Sequence, residues 1–154
     1  MRILFVCHGN TCRSPAAEAV VRGLAADAGL GLQIDSAGIS ADRLGAPATP
    51  EMRQLADSAG YDMTKAFARK ISTMDYDAFD LLIAMDKSVV AVLKADQPIS
   101  SRAQVIGFMD YTGGEGPSEI ADPWHTHDYP AAFDLIQTAA RAFIATLVAD
   151  QPRQ

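Results

Sequence analysis

Ile3-Leu4-Phe5-Val6-Cys7-His8-Gly9-Asn10-Thr11-Cys12-Arg13-Ser14-Pro15 joins an apolar run, a short polar loop and a proline that opens a stretch of helix-forming residues. The apolar run reads as a strand. Pro15 suits a first helical position, with Ser14 before it as the N-cap and Ala16 to Ala26 continuing toward a stop at Gly29. A strand that turns through such a loop into a helix aims backbone N–H groups and the positive end of the helix dipole at one point. That point suits a phosphate-sized dianion. Cys7 sits in the same positive field, which favours a thiolate over a thiol. Arg13 adds a planar fork that matches two phosphoryl oxygens. The spacing of Cys7 and Arg13 alone is a weak signal, since strand-end cysteines are commonly just buried. The strand, glycine, serine and proline around it give it weight.

Further along, Leu32 to Ala37 reads as a second strand, and residues 38–49, with Gly45 and Pro47, as a long loop of the kind that carries function. Thr49-Pro50 repeats the cap-then-proline start, and Met52, Leu55, Ala56 and Ala59 fall on one helical face before Gly60. Phe79-Asp80-Leu81-Leu82-Ile83-Ala84-Met85 has the near-continuous apolar character of a parallel strand covered on both sides, followed by Asp86 as the cap of a helix over 87–95. A fourth strand is read over 103–108, a second long loop over 110–127, and a final helix whose inward stripe is Phe133, Ile136, Ala140, Phe143 and Leu147. Alternating strands and helices give an α/β fold: a single-domain doubly wound sheet of four parallel strands with helices on both faces. The domain is expected to span 1–154, with the phosphate loop after the first strand, at the carboxyl edge where such sheets bind ligands.

Composition narrows the function classes. With 49% hydrophobic and 21% charged residues the chain folds rather than staying disordered, and its net charge of −6 argues against nucleic-acid or anionic-membrane partners. The N-terminal apolar run is too short for a secretory signal, and no apolar stretch approaches the ~20 residues of a membrane span. A cytoplasmic protein is expected. Its two cysteines, Cys7 and Cys12, are two ligands short of a zinc site and make a poor structural framework. His8, His125 and His127 are split between two loops and read as solvated or substrate-facing, so neither metal nor cofactor is expected. Nothing in the sequence points to an oligomeric state.

Phosphoryl transfer to a thiolate also needs a proton donor for the leaving oxygen and a base for the water that follows. Asp122, in Ala121-Asp122-Pro123-Trp124-His125, is the candidate, although Asp-Pro also simply starts turns.

The stretch from Val6 to Pro15, with Asp35-Ser36-Ala37-Gly38, Phe79 to Asp86, Ala121-Asp122-Pro123-Trp124 and Phe133-Asp134-Leu135-Ile136 in the same order, resembles the low-molecular-weight protein tyrosine phosphatases over nearly the whole chain. The resemblance implies phosphorylated protein substrates, a cysteinyl-phosphate intermediate, Cys7 as nucleophile, Arg13 as phosphoryl clamp and Asp122 as general acid then base. It implies a phosphate site over His8, Gly9, Asn10, Thr11, Cys12, Arg13 and Ser14, with Ser14 easing thiolate departure and Asn10 and Ser36 pinning the loop. It also implies a protective Cys7–Cys12 disulfide under peroxide.

Three departures stand out. Asp42 occupies a place often held by an aromatic residue, leaving Trp124, with His125 or Tyr129, to meet the substrate ring. Ala66 replaces a histidine, so support behind the loop must differ. Thr11 replaces a common isoleucine, and some relatives with threonine there resemble protein-arginine phosphatases. Thr11 and Asp42 therefore sustain an arginine phosphatase as the alternative. A non-catalytic phosphate-binding module would not need both Cys7 and Asp122, and an arsenate reductase would need cysteines after Cys12, where there are none.

Overall fold

The computed structural model describes residues 1–152; the last two residues of the expected 1–154 domain lie outside the described residues. Four parallel strands, β1 (Arg2–Cys7), β2 (Gln33–Gly38), β3 (Leu81–Ala84) and β4 (Gln104–Gly107), form one sheet in the order β2-β1-β3-β4. Alternation along the strands sorts the core into two layers. Ile3, Phe5, Leu81 and Ile83 face one cluster, and Leu4, Val6, Leu82 and Ala84 face the other. Helices α1 (Arg13–Asp27), α2 (Pro50–Ser58) and α6 (Tyr129–Ala149) cover the first face, while α3 (Asp75–Ala78) and α4 (Lys87–Asp96) cover the second through Tyr76, Val89 and Leu93. A short helix, α5 (Pro123–Thr126), and a 3-10 turn over Phe108–Thr112 interrupt what reads in sequence as one loop.

Phe5 lies against Phe108 with ring centroids 5.2 Å apart and against Phe143 at 6.5 Å, both edge-on. Each fully buried ring or aliphatic chain contributes about 1.5–3 kcal/mol over its exposed form. By length and composition α6 is apolar enough to cross a membrane, contrary to the expectation that no stretch comes near that length. In this fold its stripe of Phe133, Ile136, Ala140 and Phe143 is buried, small residues of α1 such as Ala16 and Ala17 share that core, and Leu147 is only half-buried at its end.

Two helix starts differ from expectation in the same way. The cap position of α1 is Cys12, two residues earlier than read, so that Pro15 is the third helical residue, and neither Cys12 nor Ser14 closes the helix with a side-chain hydrogen bond. Thr49 does hold the cap position of α2 but makes no capping bond; its hydroxyl donates to the Thr11 carbonyl at 3.0 Å. By contrast Asp86 caps α4 through the Val89 N–H, and Asp128 caps α6 through Ala131.

Where β2 ends, Gly38 lies beside Cys7 in register. A β-carbon there would meet the His8 carbonyl oxygen at 2.7 Å, Gly9 C at 3.0 Å and Asn10 N at 3.1 Å. All three are backbone atoms, so the loop after β1 would have to move. Gly38→Ala is expected to lower stability in urea denaturation by about 1–3 kcal/mol, as overpacking does. Gly31→Ala, which meets open space, is expected to stay within about 0.5 kcal/mol of the parent.

Candidate active site

β1 delivers Cys7 to the carboxyl edge of the sheet, 3% exposed, and the chain turns through residues 8–12 into α1. The turn needs Asn10 in the left-handed region, at φ 57°, which costs a non-glycine residue roughly 1–2 kcal/mol and is best tolerated by asparagine or aspartate. Its side chain offsets that cost. The amide nitrogen of Asn10 donates to Ser14 Oγ at 2.9 Å and Ser36 Oγ at 3.0 Å, and its carbonyl oxygen accepts the Arg69 N–H at 2.9 Å. Arg69 in turn binds both oxygens of Asp75 at 3.0 Å and reaches Asp35 at 3.1 Å. This network stands behind the loop where Ala66 supplies no polar group.

Around the sulfur, Asn10 N–H donates to Cys7 Sγ at 3.3 Å and Ser14 Oγ lies 2.9 Å from it. Because Ser14 Oγ already accepts from Asn10, its own proton is free for the sulfur, with the Ala37 carbonyl farther away at 3.5 Å. A thiolate can only accept. Both groups therefore stabilise negative charge on Sγ.

Arg13 is 1% exposed: Nη1 donates to Asp86 Oδ2 at 2.7 Å and to the Ile120 carbonyl at 2.8 Å, and Nη2 lies 3.3 Å from Asp122 Oδ2. Burial works against its charge, but Cys7, Asp86 and Asp122 outweigh that and hold its pKa above the ordinary arginine value. Burial likewise pushes the Asp86 carboxyl up, and hydrogen bonds from Arg13, Val89 N–H and Ser88 more than reverse it, leaving the group below the usual aspartate range. The other loop cysteine behaves differently. Burial first, then the negative fields of Cys7 and Asp122, raise the Cys12 thiol to about 12 against a weaker pull from Arg13. Cys12 is thus held protonated.

Asp122 has two tasks. Its Oδ1 caps α5 by accepting the Trp124 N–H at 3.0 Å, and Oδ2 faces Arg13. The turn-forming and cleft-facing readings of Asp-Pro are both realised. One cleft of about 1110 Å³ collects Cys7, Arg13, Asp122 and the loop residues His8, Gly9, Thr11 and Cys12, with Asp42, Trp124, His125 and Tyr129 around its mouth. Asn10, Ser14 and Ser36 do not line it; they are buried behind the loop. Trp124 is 63% exposed rather than packed in the core, and the guanidinium of Arg43 lies 4.3 Å above its ring.

Sequence reasoning gave Asp86 only a capping role and passed over Arg43 and the Arg69–Asp75 pair. The position of Asp86 at the carboxyl end of β3, on the same edge as Cys7, was the available signal. Nothing local marked Arg43, because its partner is 81 residues away.

The arrangement can hold a dianion in front of a stabilised thiolate, with a carboxyl group beside it. The sequence model of the low molecular weight phosphotyrosine protein phosphatase family matches residues 2–153. Relatives include the low molecular weight protein-tyrosine-phosphatase YfkJ of Bacillus subtilis, 33% identical over 94% of both chains. The low molecular weight phosphotyrosine protein phosphatase of Schizosaccharomyces pombe is 38% identical over 81% of both. The crystal structure of YfkJ superposes with a TM-score of 0.93, 31% identity and coverage of 99% of this chain and 97% of that one. That of the Drosophila arginine phosphatase DARP gives 0.90, 30% identity, and 98% and 100% coverage. With a family match from end to end and relatives above 30% identity along most of their length, the chain belongs to the low molecular weight phosphotyrosine protein phosphatases, a family of cysteine-dependent phosphatases.

Proposed function

We propose that the chain, as one domain over 1–154, hydrolyses phosphotyrosine in protein substrates through a cysteinyl-phosphate intermediate. The observation that carries this reading is convergence: Cys7 Sγ, the Arg13 guanidinium and the Asp122 carboxyl open on one cleft, with Asp122 Oδ2 3.3 Å from Arg13 Nη2. The loop N–H groups and Arg13 take the phosphoryl oxygens, exchanging some of the carboxylate contacts of Arg13 for those of the substrate. The Cys7 thiolate attacks phosphorus, the bond from phosphorus to the ester oxygen breaks, and protonated Asp122 gives its proton to the departing phenolate. Asp122, now a carboxylate, takes a proton from water as the water oxygen attacks phosphorus. The S–P bond breaks, the electron pair returns to sulfur, and the Ser14 hydroxyl donates to the emerging thiolate. Inorganic phosphate leaves. Cys12, held as a thiol, does not compete as nucleophile, and it serves as the partner in a protective disulfide when Cys7 is oxidised. At the mouth, Asp42, Trp124 and His125 meet the leaving group and its flanking residues. Two free cysteines and a thiolate nucleophile belong with a reducing compartment, the cytoplasm.

A second reading rests on Thr11, which lines the cleft, and on Asp42 at its mouth: a threonine hydroxyl and a carboxylate suit the polar, cationic edge of a phosphoarginine guanidinium. The structural neighbour described as an arginine phosphatase accompanies it.

Cys7→Ser is expected to abolish turnover of p-nitrophenyl phosphate while retaining binding of inorganic phosphate, and Asp122→Asn to lower kcat by about 10²–10⁴-fold. Full activity in Cys7→Ser would overturn the mechanism. Ser14→Ala is expected to slow thiolate departure, so that a phosphoenzyme burst appears in rapid quench with a total rate loss of about tenfold, equivalent to one hydrogen bond of roughly 1.4 kcal/mol. Comparing phosphotyrosine with phosphoarginine peptides separates the two readings. A phosphoarginine preference that Thr11→Ile removes would establish the second, whereas a phosphotyrosine preference in the parent retires it.

A further inference from the structure

The guanidinium of Arg43 lies 4.3 Å from the centroid of the Trp124 ring, bridging the loop after β2 to α5 at the mouth of the cleft. Such a contact joins the charge of the guanidinium to the face of the indole. An arginine carries five N–H donors, more than one ring contact occupies. Among the described residues Arg43 makes no ion pair and no side-chain hydrogen bond. Of the carboxylates near the cleft, Asp86 and Asp122 are engaged with Arg13 and Glu119 accepts the Lys87 N–H at 2.9 Å, while Asp42 and Glu51 make no ion pair among the described residues. The aliphatic stem of Arg43 passes over Gly9 of the phosphate loop, with Cδ 3.9 Å from where a β-carbon on Gly9 would be. A cation with unused donors is therefore held at the rim of the site, in a chain whose net charge is −6.

We propose that Arg43, braced on Trp124, is a specificity-determining residue that selects phosphoprotein segments carrying an aspartate or glutamate next to the phosphorylated residue. The inference rests on the phosphatase reading above and adds to it the sequence context of the substrate. A flanking carboxylate can take the edge donors in bidentate fashion while the phosphoryl group occupies the loop below. The braced position lowers the ordering cost that an unsupported surface arginine would incur. Asp42, exposed beside it, makes no ion pair with it and disfavours a second acidic residue on its own side.

The test is a set of phosphotyrosine peptides that differ only in the flanking residue, glutamate, glutamine or lysine, with p-nitrophenyl phosphate in parallel. Because exposed ion pairs contribute modestly, the parent is expected to favour glutamate over lysine in kcat/KM by about three- to tenfold at low salt, with the ratio shrinking as ionic strength rises. Arg43→Glu is expected to invert the order. Arg43→Lys keeps the charge but not the planar fork, and is expected to retain only part of the preference. Trp124→Leu removes the brace and is expected to weaken the preference through KM with the order unchanged. A parent that turns over p-nitrophenyl phosphate yet treats the three peptides alike, or an Arg43→Glu variant that keeps the glutamate preference, overturns the proposal and leaves the phosphatase reading intact. A parent inert toward every phosphomonoester overturns both.

Discussion

Arg13 is a guanidinium almost wholly withdrawn from water, and a buried charge of that kind stands only if its donors are matched. The groups that match it come from far along the chain: Asp86 at the end of β3, and the Ile120 carbonyl and Asp122 from the long loop after β4. Satisfying one side chain thus brings the first strand–loop–helix unit, the third strand and the acid-bearing loop to a single edge of the sheet. Asp86 contributes twice, since its second oxygen caps α4 through the Val89 N–H. An anion entering the loop does not build this arrangement; it joins one whose charges are already balanced and shifts the balance locally.

Asn10 is the counterpart on the hidden side. Its left-handed backbone is held by a side chain that uses both ends of its amide, one on the two serines and the other on the Arg69 backbone. Arg13 fixes the loop from the cleft, and Asn10 fixes it from behind. Between them the sulfur of Cys7 receives its donors without either group having to contact it by side chain. A polar network is economical here because every member is satisfied, and no buried side-chain nitrogen or oxygen among the described residues lacks a partner.

Much of this was legible in the sequence, for identifiable reasons. β1 and β3 announce themselves because a strand covered on both faces must be apolar at nearly every position, as Ile3 to Val6 and Leu81 to Ala84 are. The four-residue helices α3 and α5 and the turn at Phe108 were hidden, being too short to display a helical period. Within the site, Cys7, Arg13 and Asp122 were readable because local chemistry betrays them: a cysteine at a strand end, an arginine at a helix start, an aspartate before a proline. The pairings were not. Arg69 with Asp75, Arg13 with Asp86 and Arg43 with Trp124 depend on tertiary closeness, and no spacing in the chain encodes them. Ser14 shows the limit in a different way. Its residue type suggested the cap of α1, but the helix starts earlier, at Arg13 after Cys12, and the Ser14 hydroxyl serves the neighbouring sulfur.

That diversion leaves α1 an unfinished helix. The Ser14 hydroxyl lies against Cys7, the cap position Cys12 makes no side-chain capping bond, and no acidic side chain sits in the first turn. A phosphate oxygen held in the loop would supply acceptors that the chain itself withholds, in the place a capping side chain takes in other helices. Binding of such an anion would then be linked to the stability of α1. Because α1 packs along α6 through the larger core layer, whatever steadies its first turn is passed to the longest helix of the fold.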